Sequence, residues 1–289
     1  AWLEKQRARL LPVSYYLLTF TLPASLRPLA KRHPRQIYSL FMSRAVAALQ
    51  KLAADPQWVG GKLPVLAVLH TWTRAMLFHP HVHLLVPAGG LSSQGTWVRA
   101  RHPNFLVPGY ALSQIFHAKF KAGLKKLRLL DPGCPCWYQK WDVHCRHAGS
   151  GEKVLDYLAR YVFRIAITNS RLERIEHGEI TFRYRDNKTQ QLRHLLLPAR
   201  EFIQRFLQHV LPKGFVKVRT YGLWSAPQQE QLAQIQAQLT RPPPAGLPTQ
   251  TQPPPPASVT PTPGPRCPKC KLGHMLFIQE VTPQRNRPP

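Results

Sequence analysis

The chain has 289 residues, with 40 Lys plus Arg against 13 Asp plus Glu and a formal net charge of +27, and its pI is near 10.7. That length can bury a full core in one or two domains, and so one-sided a charge opposes compaction unless a polyanion is the partner, which puts nucleic acid first. No run of about 18 apolar residues, signal-peptide pattern or long basic amphipathic helix is present, so no membrane role is expected. The five cysteines are odd in number and split between Cys134, Cys136, Cys145 and the tail pair Cys267, Cys270, which speaks against a disulfide framework and for a reduced cytoplasmic protein.

In chain order, Trp2 to Leu11 reads as a short basic helix and Ser14 to Leu22 as a buried strand stopped by Pro23. Ile37, Phe41, Ala45, Val46, Leu49 and Leu52 recur at helical spacing between Pro34 and Ala54. Leu63 to Thr73 reads as a second strand, joined by a hairpin to a histidine-rich third strand, and Thr96 to Val98 as a short fourth. A helix follows whose apolar side is Leu112, Ile115, Phe116, Phe120, Leu124 and Leu127, while Lys119, Lys121, Lys125, Lys126 and Arg128 form an uninterrupted cationic side suited to phosphate. Lys140 to Cys145 is expected as a strand with incidental cysteines, since Cys-x-Cys with one distant Cys lacks the paired spacing of structural zinc sites.

Two stretches carry chemistry. In His79-Pro80-His81-Val82-His83, the period of two of a strand turns the imidazoles to one side while Val82 and Leu84 enter a core, and paired neutral imidazoles on a rigid strand make half of a divalent-cation site. In Val154-Leu155-Asp156-Tyr157-Leu158-Ala159-Arg160-Tyr161, with Arg164 beyond, residues four apart share a helix face, so two phenols project together near arginines. A tyrosine becomes a useful nucleophile where nearby cationic charge or a metal-polarised electrophile assists it. Taken singly, a solvated strand face and a core-facing aromatic pair account for these stretches better than chemistry does.

Further along, Leu172 to Ile175 and Ile180 to Tyr184 alternate as a hairpin about His177-Gly178, and Gln191 to Leu197 adds a strand. Ala199 to Leu211 forms an amphipathic helix with Phe202, Ile203, Phe206, Leu207 and Val210 on one side. Arg183, Arg185, Lys188 and Arg193 with Tyr184 suit a groove for a DNA strand, where stacking and phosphate contact combine. The expected organisation is a main domain over residues 1–225, a short Gln-rich helix at 226–240, a disordered Pro-rich linker at 241–266 and a tail at 267–289. Eleven prolines fall between Pro242 and Pro265, a stiff segment that cannot pack. Cys267-Pro268-Lys269-Cys270 has the spacing of half a zinc knuckle, so a tail Zn²⁺ is one expectation and chance spacing another.

The histidine strand followed by Tyr-x-x-x-Tyr in a very basic chain resembles the HUH endonucleases, and among them the two-tyrosine transposases of bacterial rolling-circle insertion sequences. Further marks are Phe20-Thr21-Leu22-Pro23, Leu69-His70-Thr71-Trp72, Ala166-Ile167-Thr168-Asn169-Ser170-Arg171-Leu172 and Phe206-Leu207-Gln208-His209-Val210-Leu211-Pro212-Lys213-Gly214-Phe215. The resemblance runs from about Trp2 to Leu223. It implies an α+β fold with a central antiparallel sheet flanked by helices. It also implies His81 and His83 as ligands of Mg²⁺ or Mn²⁺, Tyr157 and Tyr161 as nucleophiles, and single-stranded DNA of the element's own ends as substrate. Arg160, Arg164, Lys125, Lys126, Arg183, Arg185 and Lys188 are the candidate DNA contacts, in a bacterial, nucleoid-associated protein.

Two departures bear on activity and completeness. The family's third ligand, a Gln or Glu seven residues before the first histidine of the pair, falls here on Arg74, which has no lone pair for a cation. His70, of the same strand parity, is the substitute expected, and a catalytically silent DNA-binding remnant is the alternative function. A general single-strand-binding protein is the third. The cysteine-rich zinc module that commonly precedes this segment in the family is not in the sequence, so the chain reads as a partial copy.

Overall fold

The computed structural model describes residues 2–102, 105–162, 166–186 and 189–240, with the side chains of Arg160 and Tyr161 outside that description. Arg164, Lys188, the Pro-rich stretch and the tail with Cys267 and Cys270 also lie outside the described residues. A short helix α1 (Trp2–Arg7) leads into strand β1 (Ser14–Thr21), then α2 (Arg27–Arg32) and the long α3 (Pro34–Ala53). Strands β2 (Val65–Trp72) and β3 (Phe78–Pro87) form the expected hairpin. The small hairpin β4 (Gly89–Leu91) and β5 (Trp97–Arg99), helix α4 (Gly109–Lys126), strand β6 (Val143–Ser150) and helix α5 (Gly151–Val162) follow. A second sheet of β7 (Leu172–Glu176), β8 (Glu179–Arg185) and β9 (Leu192–Pro198) precedes α6 (Ala199–Leu207), β10 (Val218–Tyr221) and α7 (Gln229–Thr240).

The architecture is α+β, and the main sheet has the order β10-β2-β3-β1-β6 with every pair antiparallel. Because side chains alternate across a strand, its residues divide cleanly between two faces. Tyr16, Leu18, Phe20, Val82, Leu84 and Val86 pack with the buried stripe of α3 and the Phe116 and Phe120 face of α4. Tyr15, Leu17, Leu66, Val68 and Leu85 pack on the other face against Val154, Leu155 and Leu158 of α5. α7 closes that side with Leu232 and Ile235, and Gln236 Nε2 donates to the carbonyls of Ala8 and Leu10, 2.9 Å each. At Gly151, where α5 begins, a Cβ would stand 2.7 Å from Leu10 Cδ2 and 2.8 Å from Tyr15 Cε2, so the helix can approach β1 this closely only at a glycine.

Four elements differ from expectation: α2 is not among those expected, β4 forms at Gly89-Gly90 where a turn is expected, and β6 and β10 differ as follows. The strand placed at Lys140 to Cys145 begins at Val143 and runs to Ser150, because Trp141 is drawn out of the ladder into the core. Its indole donates to the Cys136 carbonyl (2.9 Å) and its own carbonyl accepts from Ser113 Oγ (2.6 Å). Cys134 and Cys136 are buried free thiols of that core. β10 has no counterpart in the sequence reading: four half-buried residues without alternation pair with β2 as its edge partner.

The segments flanking the second sheet, the residue before β7 and the helix α6 with the turn after it, are tied to the tip of the β2–β3 hairpin through three consecutive carbonyls. Arg171 Nη2 donates to the carbonyl of Arg74, Arg205 Nη1 to that of Ala75 (3.4 Å) and His209 Nε2 to that of Met76 (3.1 Å). Met76 is buried in the left-handed region at φ +59°, a conformation that costs free energy for a non-glycine residue and has to be held by its surroundings. His209 is buried, faces Thr71 Oγ1 with Nδ1 (3.3 Å) and stacks on Phe78. His209→Ala removes both bonds and leaves a void, so it is expected to lower unfolding free energy by about 2–4 kcal/mol. Leu207→Ala, on the exposed side of α6, is expected to change it by less than about 0.5 kcal/mol, and urea midpoints of the two variants check the contrast.

Candidate active site

On the α5 side of the main sheet, three strands change character at the same level. Reading outward, Leu66 and Val68 of β2 give way to His70, Leu85 of β3 to His83 and His81, and Leu17 of β1 to Thr19 and Thr21. The register aligns these rows: Thr19 stands opposite His83, Thr21 opposite His81, and His70 opposite His81. An apolar face thereby becomes a polar one without any break in the ladder.

The rings of His70, His81 and His83 lie 4.7–5.1 Å apart by centroid, and their ligand nitrogens all fall within 4.8 Å of one another. His81 Nδ1 is 2.8 Å from the His79 carbonyl, which can only accept, so the proton is on Nδ1 and the Nε2 lone pair is available. His83 Nδ1 bonds Thr19 Oγ1 at 3.0 Å, and its Nε2 is closed off from water with no hydrogen-bond partner. Burial pushes His81 down to about 4 and His83 down to about 3, the latter helped by the neighbouring His81 and Arg146, while burial first and the other two imidazoles second hold His70 well below the ordinary histidine range. All three are neutral at physiological pH. Neutral imidazoles, of which His81 and His83 are fixed through Nδ1, are the donor type of a transition-type divalent cation, and these three residues can hold a metal ion.

His79 projects to the same side but its Nδ1 accepts from Arg27 Nη2 (2.9 Å), which leaves it outside the trio. Arg74 is not on the ladder at all. A register shift between His70 and Trp72 and the turn beyond it break the strand parity, and the Arg74 guanidinium lies at 3.5 Å from the Arg185 carbonyl on the cavity rim.

The three histidines floor a cavity of about 540 Å³ that is also lined by Thr19, Thr21, Tyr157, Arg74, Arg171 and Arg185. Tyr157, 39% exposed, projects from α5 with its ring edge-on to His83 at 6.3 Å between centroids. Tyr161 is one turn further along α5; its side chain, and those of Arg160, Arg164 and Lys188, lie outside the described residues. Of the candidate DNA contacts, Arg185 reaches this cavity. Arg183 is tied on β8 to the Ser170 carbonyl (3.1 Å), and Lys125 and Lys126 end α4 on the opposite side of the sheet. Arg171 was part of a motif without an assigned role. It donates to the carbonyls of Ala166, Arg183 and Arg74 and lies over the Phe182 ring at 5.6 Å, holding the cavity wall together. Its spacing from the histidines in sequence gave no signal of this.

A family model described as "Putative transposase" (Y2_Tnp) matches residues 65–231, from β2 into α7, which takes in the hairpin, the tyrosine helix and the second sheet. The chain belongs to the Y2_Tnp transposase family. Relatives of this family member include the "Putative transposase y4qJ" of Sinorhizobium fredii (strain NBRC 101917 / NGR234), 35% identical over 96% of this chain and 76% of that protein. Another is the transposase for insertion sequence element IS801 of Pseudomonas savastanoi pv. phaseolicola, 31% identical over 76% of this chain and 57% of that protein. Among solved structures, the conjugative relaxase TrwC in complex with oriT DNA, a metal-bound structure, aligns over 77% of this chain and 70% of that one with 14% identity and a TM-score of 0.33. No helix among the described residues is long and apolar enough to cross a membrane.

The lowered histidines make the metal-free Y2 domain sensitive to acid. Their folded values lie below the unfolded value of 6.5, so the unfolded state takes up protons first. Their contribution to stability is complete above about pH 6.5 and is lost as pH falls toward 4, at up to about 1.4 kcal/mol per pH unit for each imidazole. In a chelating buffer the unfolding temperature should drop between pH 7.5 and 5, Mn²⁺ should oppose the drop by binding the neutral rings, and a His70→Asn, His81→Asn, His83→Asn triple variant should flatten it. An unchanged pH slope in that variant would contradict the assignment.

Proposed function

We propose that this transposase cuts and rejoins single-stranded DNA through a covalent phosphotyrosine. The observation that carries it is the presence of Tyr157 and the three histidines in one cavity whose remaining charged lining is arginine. A bound cation would be held by His70, His81 and His83 and would polarise the scissile phosphate. The Tyr157 phenol oxygen attacks the phosphorus, the P–O3′ bond breaks, the leaving 3′-oxygen ends as a hydroxyl carrying the proton the phenol gives up, and the 5′-phosphate stays on the tyrosine. Arg74 and Arg185 offer charge to the phosphates on either side. Attack by a 3′-hydroxyl on the phosphotyrosine reverses the step, so the bond is conserved and no nucleotide triphosphate is needed. Tyr161, four residues on, supplies a second carrier for the opposite strand end, as rolling-circle transfer of an insertion sequence requires.

The inactive-remnant alternative rested on Arg74 in place of a ligand. With His70 opposite His81 in register and Arg74 off the ladder, the cation site has three donors without that position. Since no Asp or Glu is among the described residues lining the cavity, the all-imidazole set favours Mn²⁺ over Mg²⁺, which takes oxygen ligands.

Labelled single-stranded DNA carrying the element's own ends, incubated with Mn²⁺ and run on a denaturing gel, should give a protein–DNA adduct. Tyr157→Phe and His81→Ala should abolish that adduct. Loss of a neutral phenol should leave DNA affinity within about threefold, because no phosphate charge is removed; an adduct persisting in Tyr157→Phe would sink the assignment. Half-maximal Mn²⁺ should lie about tenfold or more below half-maximal Mg²⁺. Arg74→Gln should weaken DNA binding while leaving the metal titration where it was, and a shifted Mn²⁺ midpoint in that variant would place Arg74 at the cation after all.

A further inference from the structure

Beyond the Arg27–His79 contact, the surface holds a second groove of about 630 Å³ between α2 and α6, lined by Arg27, Lys31, Phe78, Gln204, Arg205 and Gln208. A smaller recess of about 480 Å³ shares Lys31, Gln204 and Gln208 with it and adds Tyr38 and Leu207. Lys31, Gln204 and Gln208 have no part in the reaction cavity. The charge of this groove is unbalanced. Its acid, Glu201, is bound to Arg205 at 2.6 Å, and none of the ion pairs among the described residues includes Arg27 or Lys31.

Arg27 spends Nη2 on His79, and its Nε is shut off from water with no acceptor. With no carboxylate paired to it among the described residues, the exposed part of this guanidinium is open to an anion. Lys31 Nζ lies 5.0 Å above the Phe78 ring, so a cation, an aromatic face and the two amides of Gln204 and Gln208 converge. Cations for phosphates together with amides for the edges of unpaired bases suit a single strand. The volume is that of a small-molecule pocket, room for a nucleotide or two and not for a duplex. The contact of Arg27 with His79, which itself lines the reaction cavity, makes the two spaces neighbours.

We propose that this groove seats the single-stranded DNA adjoining the phosphodiester held in the cavity, with Arg27 and Lys31 on its phosphates and Gln204 and Gln208 on base edges. The assignment rests on the cavity being the site of DNA cleavage, and its test is one of binding, which needs no cleavage. Fluorescence anisotropy of fluorescein-labelled oligo(dT) with the full chain, over a series of salt concentrations, compares the wild type with Lys31→Ala and with Lys51→Ala, an exposed lysine in the last turn of α3. Lys31 is exposed on α2, so its replacement should leave the unfolding temperature unchanged.

Lys31→Ala is expected to weaken binding about threefold to tenfold and to make the slope of log affinity against log salt shallower by about 0.7, one single-strand phosphate contact. Lys51→Ala should match the wild type. Wild-type affinity and slope in Lys31→Ala would overturn the proposal, as would a loss confined to a blunt hairpin duplex with none on oligo(dT). If that happens while Tyr157 still forms its adduct, the groove is removed and the chemistry stands. If the Lys31 effect appears in a protein that forms no adduct, the groove stands and the chemistry falls.

Discussion

Three imidazoles can be buried against one another only while all of them are uncharged, and this constraint organises the molecule's centre. Each additional proton would be placed in a desolvated spot beside two similar rings, so burial and mutual repulsion both act to keep the lone pairs bare. The orientation comes from hydrogen bonds made by the other ring nitrogen. The His79 carbonyl fixes one ring and Thr19 another, so the nitrogens facing inward are the ones left over. A cation entering such a site replaces a cost already met by the fold, because the rings are neutral and aimed before it arrives.

The sheet can present these side chains because its packing is complete elsewhere. α3 and α4 cover one face along its whole length, while α5 and α7 cover the other only as far as Val68 and Leu85. Beyond that line the strands continue with polar residues, and the ladder keeps their backbones rigid where no apolar lid holds them. The second sheet then contributes to the cavity wall, and the segments flanking it grip the hairpin tip through Arg171, Arg205 and His209. The hairpin carries His70, His81 and His83 near its tip and Arg74 at its turn, so contacts with three successive carbonyls fix both the floor and the rim of the cavity.

Charge is distributed in keeping with an anionic partner. Among the described residues lining the cavity no carboxylate neutralises the arginines, and Arg74, Arg171 and Arg185 there are engaged with backbone carbonyls instead of acids. Such arginines keep their full positive charge, since a carbonyl supplies a dipole and no counter-charge. The field at the cavity mouth therefore remains positive while the side chains are held in place.

The amino-acid order by itself determined the alternation of β1 and β3, the helical stripes of α3, α4 and α5 and the hairpin of β2 with β3, because each is a local matter of period and turn. It also marked His81 and His83 as neighbours, since two residues on one strand share a side whatever the fold. Strand parity also named His70 as the candidate third donor, but only the tertiary structure brings it beside the pair. His70 meets the pair only because β2 and β3 register it opposite His81, and a register shift two residues later removes Arg74 from the position that parity gave it. The strand expected at Lys140 moved because Trp141 found a core partner, and Arg171 and His209 acquired their place through contacts 97 and 133 residues away. Local pattern fixes which way a side chain faces; only the pairing of distant segments fixes what it faces.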